Sequence, residues 1–126
     1  MSLDAASTFL GLVSAGTALP ALALVVGFPD AVCTGLGRPF ASWKASPEGS
    51  FGLFLYTVSD ICLGALCAAS LTTGSAVSKT LALNATMVHQ FAYLAAAIPA
   101  FGFRPDHIPC VVAGALAGLL SYRTKD

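Results

Sequence analysis

Charged residues are scarce in this sequence. Lys and Arg together number six, Asp and Glu together number six, and the charged fraction is 10% against a hydrophobic fraction of 56%. With a mean hydropathy of +0.81, the chain has too little polar side-chain surface to cover a soluble domain. The zero net charge and the absence of a basic stripe also argue against nucleic acid as a partner.

Motifs that mark several enzyme classes are absent as well. The sequence holds no P-loop, no GxGxxG, no HExxH and no nucleophile elbow. Its four cysteines include no CxxC pair and no histidine at the spacing of a metal site. We therefore expect no metal and no cofactor, and we expect these cysteines to act as small hydrophobic residues: Cys33, Cys62, Cys67 and Cys110.

Long apolar segments are what the sequence has instead. Three of them are long enough, as helices, to cross a hydrocarbon core of about 30 Å, and a fourth is shorter. Pro20 lies within the first segment and predicts a bend there, because proline removes a backbone hydrogen bond. Short turns between the later segments predict antiparallel neighbours. The predicted spans are residues 7–28, 51–72, 79–101 and 108–122.

These segments predict an all-α, integral membrane four-helix bundle, up-down and antiparallel, with a short fourth helix. It forms a single transmembrane domain over residues 1–126. Residues 29–50 are expected to form an interfacial loop, because Trp43 and Lys44 both suit the headgroup level; a mobile cover over a ligand cavity is the alternative. We expect a multi-pass protein of the lipid bilayer, in the endoplasmic reticulum if the chain is eukaryotic.

Small residues offer a way for such helices to associate. Gly114 and Gly118 form a GxxxG step in the fourth segment, and small residues let helices approach closely enough to pack in lipid. Two interpretations stay open. The step either packs the fourth helix within the chain or forms a homodimer through Gly114 and Gly118.

Few polar residues interrupt the spans, and three of them lie mid-span: Asp60, His89 and Gln90. Burying a carboxylate in a membrane costs about 3 kcal/mol or more, which makes Asp60 a functional candidate. Asp60 precedes Thr72 by twelve residues, and His89 follows Lys79 by ten. These spacings put both side chains about 15 to 18 Å from the same membrane side, so we expect them to meet near the midplane.

A carboxylate beside an imidazole can exchange protons, which suits acid/base chemistry. We predict Asp60 and His89 as the catalytic pair. The alternative is a structural one, in which the pair only joins two helices by hydrogen bonds worth about 0.6 kcal/mol each. Helical periodicity gathers further polar side chains on the same two faces, and we predict these as substrate-binding residues: Tyr56, Ser59, Thr86, Gln90 and Tyr93.

Three short motifs carry a resemblance to a known family. They are the stretch 25–29 that ends in Gly-Phe-Pro, the stretch 56–64 that enters the second helix, and His107 at the start of the last helix. Through these motifs, which are spread over most of the chain, the sequence resembles the DoxX-like superfamily of small four-helix membrane proteins. The resemblance implies a four-helix bundle and, as in some members, an accessory role in redox or biosynthetic assemblies. No catalytic residue of the family carries over to this sequence, and His89-Gln90 does not match the family pattern.

Three functions therefore stay open. One is a membrane isomerase or cyclase that moves protons on a lipophilic small molecule such as a terpenoid or polyketide. A second is a non-catalytic scaffold subunit that partners a membrane enzyme, and a third is a proton-coupled small transporter. We favour a role in the biosynthesis of a lipophilic metabolite, as enzyme or accessory, because one central acid beside a histidine suits a closed apolar pocket better than an open path.

Overall fold

The fold is all-α over the residues that the structure describes. This computed structural model describes residues 4–26 and 40–124, without the side chains of residues 20–26, 40 and 42. No strand occurs in these ranges, so the predicted fold class is confirmed at this level. The helices are α1 (Ala5–Val26), α2 (Phe40–Lys44), α3 (Pro47–Thr73), α4 (Ala76–Phe101) and α5 (Ile108–Thr124), with a 3₁₀ turn at Pro105–His107 before α5.

Capping residues set the limits of the two longest helices. Ser46 caps α3, its hydroxyl accepting from the Gly49 amide at 3.0 Å, and α3 ends at Gly74 with a φ of 67°. Ser75 then caps α4 by accepting from the Ser78 amide at 3.1 Å. Both helices begin three or four residues before the predicted spans, because polar capping turns are helical although they are not apolar.

The connection predicted at residues 29–50 requires a correction. Helix α2 and the first turn of α3 fall within it, so at least residues 40–44 and 47–50 are helical and not loop. The reason is local: Pro47 follows a serine cap and occupies the first turn, where proline fits a helix. Residues 27–39 lie outside the described residues, and so does any covering role for them.

Helix α1 continues past Pro20, where the sequence predicts a bend. It runs from Ala5 to Val26 as one helix of 22 residues that includes Pro20, so the proline does not end it. The predicted end of this span at residue 28 lies outside the described residues. Helix α5 has 17 residues and is the shortest of the four long helices, as the sequence predicts.

Neighbouring long helices run antiparallel. Between α3 and α4, Ser59 contacts His89 and Cys67 contacts Thr86, so residue numbers rise along one helix as they fall along the other. The contacts between α1 and α3, and between α4 and α5, follow the same opposed order. This is the pairing that the two-residue turn between α3 and α4 predicts.

The two ends of the molecule differ in chemistry. At one end, which we call the termini end, Asp4, Gly74 and Thr124 line a common cavity. At the other, the aromatic end, Trp43 of α2 packs edge-on against Phe101 at a centroid distance of 6.2 Å. The shared cavity at the termini end shows that the start of α1, the α3–α4 turn and the end of α5 lie together.

Several polar side chains are buried, while many large apolar ones face outward. Helices α3 and α4, of 27 and 26 residues, are both long and apolar enough to cross a membrane. The described side chains include many exposed large hydrophobic ones, among them Leu12, Phe51, Phe54, Val88 and Leu119. The buried polar side chains are Ser7, Thr17, Asp60, Ser70, Thr86, His107 and Ser121.

Candidate functional site

Asp60 and His89 lie at the centres of the two longest helices. Asp60 has thirteen residues on either side within Pro47–Thr73, and His89 has thirteen before it and twelve after it within Ala76–Phe101. At 1.5 Å per residue, each side chain lies about 20 Å from the helix ends. The matched depth that the sequence predicts is therefore present.

The two side chains meet between α3 and α4. Nε2 of His89 lies 3.3 Å from Oδ1 of Asp60 and 3.3 Å from the Ser59 hydroxyl oxygen. Ser59 donates its own hydrogen to the Tyr56 carbonyl oxygen at 2.9 Å, so it accepts from the imidazole. Since both neighbours of Nε2 are acceptors, this geometry assigns the ring hydrogen to Nε2.

The second ring nitrogen of His89 lacks a hydrogen-bond partner among the described residues. Nδ1 is buried and has no hydrogen-bond partner in the described part of the chain. With the hydrogen on Nε2, Nδ1 carries a lone pair that can accept a hydrogen bond or a proton. Because buried polar atoms in folded proteins nearly all have partners, this nitrogen is a specific position at which a ligand group would be stabilised.

The carboxylate of the pair is enclosed. The Asp60 side chain is 6% exposed, whereas that of His89 is 21% exposed. Tyr56, one turn before Asp60 on the same face, lies close enough for its hydroxyl to interact with the carboxylate. A buried carboxylate needs such donors because isolated charge is unfavourable in an apolar environment.

Tyr56 and Tyr93 extend the site toward the aromatic end. Their ring centroids are 6.5 Å apart, and Tyr93 in turn packs edge-on against His107 at 6.0 Å. The structure therefore brings together four of the predicted residues around His89, namely Tyr56, Ser59, Asp60 and Tyr93. Their roles toward a substrate stay predictions.

Thr86 and Gln90 lie in other environments. Thr86 is fully buried, donates to the Ala82 carbonyl at 2.8 Å and sits 3.7 Å from the Cys67 sulfur, so its hydroxyl is used within the helix packing. Gln90 lies 100° around α4 from His89 and points instead toward α1 and α5. The polar residues predicted to share one face of α4 therefore point in two directions, His89 toward α3 and Gln90 toward α1 and α5.

Gln90 lines a groove between α1 and α5. The groove has a volume of about 470 Å³, within the range of small-molecule sites. Its described lining is mostly apolar, with Gln90, Cys110 and Thr17 as the polar exceptions. Asp60 and His89 are not among the described lining residues, although Gln90 directly follows His89 in the chain.

The GxxxG step packs within the chain. A methyl group at Gly114 would meet the Phe91 ring at 3.0 Å, and one at Gly118 would meet the Met87 sulfur at 2.9 Å. Both contacts are between α4 and α5, which matches the first of the two interpretations. A homodimer through the same glycines stays a prediction, and it would require these two side chains to move.

Two partly buried polar contacts lie outside the sequence-based predictions. Ser121 of α5 donates to the Asn84 side-chain oxygen of α4 at 2.5 Å, and the amide of Arg104 donates to Nδ1 of the buried His107 at 3.1 Å. A signal was available for the first contact, because Asn84 and Ser121 are polar interruptions near the matching ends of adjacent antiparallel segments. For His107, which stands in a turn of charged residues, the sequence indicates exposure and not burial.

Comparison with known proteins identifies no relative. No family model, no curated protein and no solved structure matches the chain. The resemblance to the DoxX-like superfamily therefore stays a prediction. Within the described residues there is also no group of three His, Cys, Asp or Glu side chains placed to hold a metal ion.

Proposed function

We propose that this chain is a multi-pass membrane protein in which Asp60 and His89 perform acid/base chemistry on a lipophilic small molecule during its biosynthesis. The observation that carries the proposal is the enclosed carboxylate at the centre of α3, 3.3 Å from an imidazole whose Nδ1 has no described partner. A carboxylate beside an imidazole in an enclosed position can serve acid/base catalysis.

Membrane insertion is supported by the distribution of polarity. Large apolar side chains such as Phe54 and Val88 face outward, whereas Asp60, Thr86 and Ser121 face inward. In water the opposite arrangement would be favoured. Four helices of 22, 27, 26 and 17 residues reach about 33, 40, 39 and 25 Å. The last is shorter than a 30 Å core, and local thinning of the bilayer accommodates it.

The hydrogen-bond pattern divides the roles between the two residues. Nε2–H donates to the Ser59 hydroxyl, and the Asp60 carboxylate 3.3 Å from Nε2 orients the imidazole electrostatically and stabilises the positive charge that forms when Nδ1 takes a proton. Nδ1 of His89 then acts as the base, and the imidazolium returns the proton to another atom of the same molecule. These two steps move one proton and need no oxidant or reductant. They are the chemistry of an isomerase or cyclase.

The groove between α1 and α5 supports a lipophilic substrate. Its apolar walls suit a hydrocarbon skeleton, and the Gln90 amide can both donate to and accept from a carbonyl or hydroxyl group. Because Asp60 is enclosed, the reaction requires a small separation of the helices that lets the substrate pass Gln90 and reach His89.

Membrane insertion is tested by extraction. Membranes that contain the full chain are washed with alkaline carbonate, and we expect the protein to stay in the pellet until detergent is added. Recovery of folded protein in the carbonate wash would contradict insertion and, with it, the whole proposal.

The chemical role is tested by metabolite profiling of the source organism. Deletion of the gene should deplete a lipophilic metabolite and accumulate an isomer of it, or its uncyclised precursor. Restoring the Asp60→Asn variant, which keeps the shape but removes the carboxylate charge, should reproduce the deletion profile at normal protein level. Normal conversion with altered export would instead indicate transport, and an unchanged profile in the Asp60→Asn strain would contradict acid/base chemistry.

One observation favours a second candidate, the non-catalytic subunit of a membrane enzyme. Asp60 and His89 line neither the groove between α1 and α5 nor the cavity at the termini end, as expected if they only join α3 to α4. In that case the deletion strain should lose metabolite, the Asp60→Asn strain should keep it, and a membrane enzyme should co-purify with the chain in mild detergent. Loss of metabolite in the Asp60→Asn strain with that complex intact would exclude the purely structural role.

A further inference from the structure

A second cavity lies at the termini end, away from the Asp60–His89 pair. Its volume is about 370 Å³, and it is lined by charged side chains of three different helix ends: Asp4 before α1, Lys79 in α4 and Arg123 in α5. The rest of the described lining is mostly small or apolar, including Ala6 and Leu120. The cavity therefore combines a charged rim with an apolar wall.

The charges of the rim do not cancel. Lys79 Nζ lies 3.0 Å from Oδ2 of Asp4, and Asp4 also accepts from the amide of Ser7 at 2.8 Å. Arg123 is exposed and has no hydrogen bond or ion pair with the described residues. Among the described lining residues, one carboxylate and two cations leave one positive charge, on a side chain whose five N–H donors suit a phosphate.

The depth of the cavity indicates the kind of anion. The α3–α4 turn lies about 20 Å from the level of Asp60, as helix rise requires. The half-thickness of a hydrocarbon core is about 15 Å, so a bilayer centred on Asp60 places this rim among the phosphates of its lipids. The apolar wall of Ala6 and Leu120 lies deeper, where acyl chains begin.

We propose that this cavity binds an anionic phospholipid, with Arg123 and Lys79 facing the lipid phosphate and Leu120 facing an acyl chain. The ion pair between Lys79 and Asp4 alone would be a link between α1 and α4, and exposed pairs of this kind contribute little. That explanation leaves the third charge, Arg123, without a role. The proposal rests on membrane insertion but is independent of the acid/base pair.

The binding test uses the purified full chain in detergent and native mass spectrometry. Four probes are titrated: phosphatidylglycerol, phosphatidylcholine and diacylglycerol with the same acyl chains, and inorganic phosphate. We expect one molecule of phosphatidylglycerol to be retained in preference to the other two lipids, and not to be displaced by inorganic phosphate at millimolar concentration. Equal retention of all three lipids, or displacement by free phosphate, would overturn the proposal.

A matched pair of arginine variants assigns the site. Arg123→Gln should weaken phosphatidylglycerol binding about fivefold, the effect of one basic residue at an anionic surface, and Arg123→Lys should restore most of it. Arg104→Gln removes a cation at the aromatic end and should change nothing. An equal loss in both glutamine variants would overturn the assignment. Failure of lipid selectivity in a chain that still resists carbonate contradicts this proposal alone, whereas carbonate extraction contradicts membrane insertion itself.

Discussion

His89 and Asp60 are joined at the midpoint of the two longest helices, with Nε2 of one 3.3 Å from Oδ1 of the other. The contact fixes the register of α3 against α4, because it brings the two central residues to the same level. It also assigns different roles to the two ring nitrogens, since Nε2 faces two acceptors and Nδ1 has no described partner. A structural link between helices needs only the first of these features.

The close approach of α1 to α3 predicts a strong effect at Gly64. A Cβ atom there would lie 2.6 Å from the Thr17 hydroxyl oxygen, which is held by hydrogen bonds to the carbonyls of Val13 and Ser14. Gly64→Ala therefore has to separate α1 from α3, and we expect it to lower the free energy of unfolding by about 1 to 3 kcal/mol. Thermal unfolding in detergent is the measurement.

Gly16→Ala is the matched control for Gly64→Ala. No atom lies within 4 Å of a Cβ built at Gly16, and alanine favours the helix interior by up to about 1 kcal/mol. We expect unchanged or slightly higher stability for it. Equal melting temperatures for the two alanine variants would show that α1 does not pack on α3 at Gly64.

Asp4 predicts a pH dependence at the termini end. The amide of Ser7 and the ammonium group of Lys79 lower the pKa of Asp4 from 3.8 to about 2. A carboxyl group whose pKa is lowered on folding stabilises the fold above its unfolded pKa, and this contribution is lost as the pH falls through the folded value. The wild type should therefore exceed Asp4→Asn in melting temperature by a constant amount down to about pH 4.

Between about pH 4 and pH 2 the same difference should shrink toward zero, because Asp4 becomes neutral in the wild type. Asparagine still accepts the amide hydrogen bond at the start of α1, so the comparison isolates the charge. Melting curves of both proteins at a series of pH values provide the test. A difference that persists undiminished at pH 2 would be inconsistent with the low pKa of Asp4.

The antiparallel order of the helices predicts which positions share a membrane side. Single cysteines at Ser2, Ser75 and Thr124, in a background without the four native cysteines, should react with an impermeant thiol reagent added from one side. A cysteine at Phe103, an exposed residue at the aromatic end, should react only from the other. If Thr124 labels together with Phe103, the 17-residue α5 does not cross, and the fold has three spans.

Much of this arrangement is predictable from helix periodicity and length. Asp60 and His89 stand out because they are polar residues within apolar segments, and equal rises along two antiparallel helices bring them to one level. The direction of Gln90 is less predictable, since a helix with neighbours on two sides spreads its polar residues over both. Because His89 and Gln90 are consecutive in a helix, their side chains point in directions about 100° apart around its axis.

The helix limits and the burial of His107 depend on contacts that a single segment does not contain. Ser46 with Pro47 resembles loop punctuation until the helix that they cap is known. His107 lies close to Arg104 and Asp106 in sequence, yet the residue is only 1% exposed because Tyr93 and Phe103 pack against its ring.

The most direct measurement of the central claim is product formation by Asp60→Asn, His89→Gln and the double variant, at equal protein levels in the membrane. Loss of an acid or base costs about 10²- to 10⁴-fold in rate, and residues that act as one unit lose activity non-additively. We predict that each single variant loses nearly all product, that the double variant loses little more, and that all three keep wild-type melting temperatures in detergent within a few degrees. Full product formation by Asp60→Asn would contradict the account and leave Asp60 and His89 as a structural contact between α3 and α4.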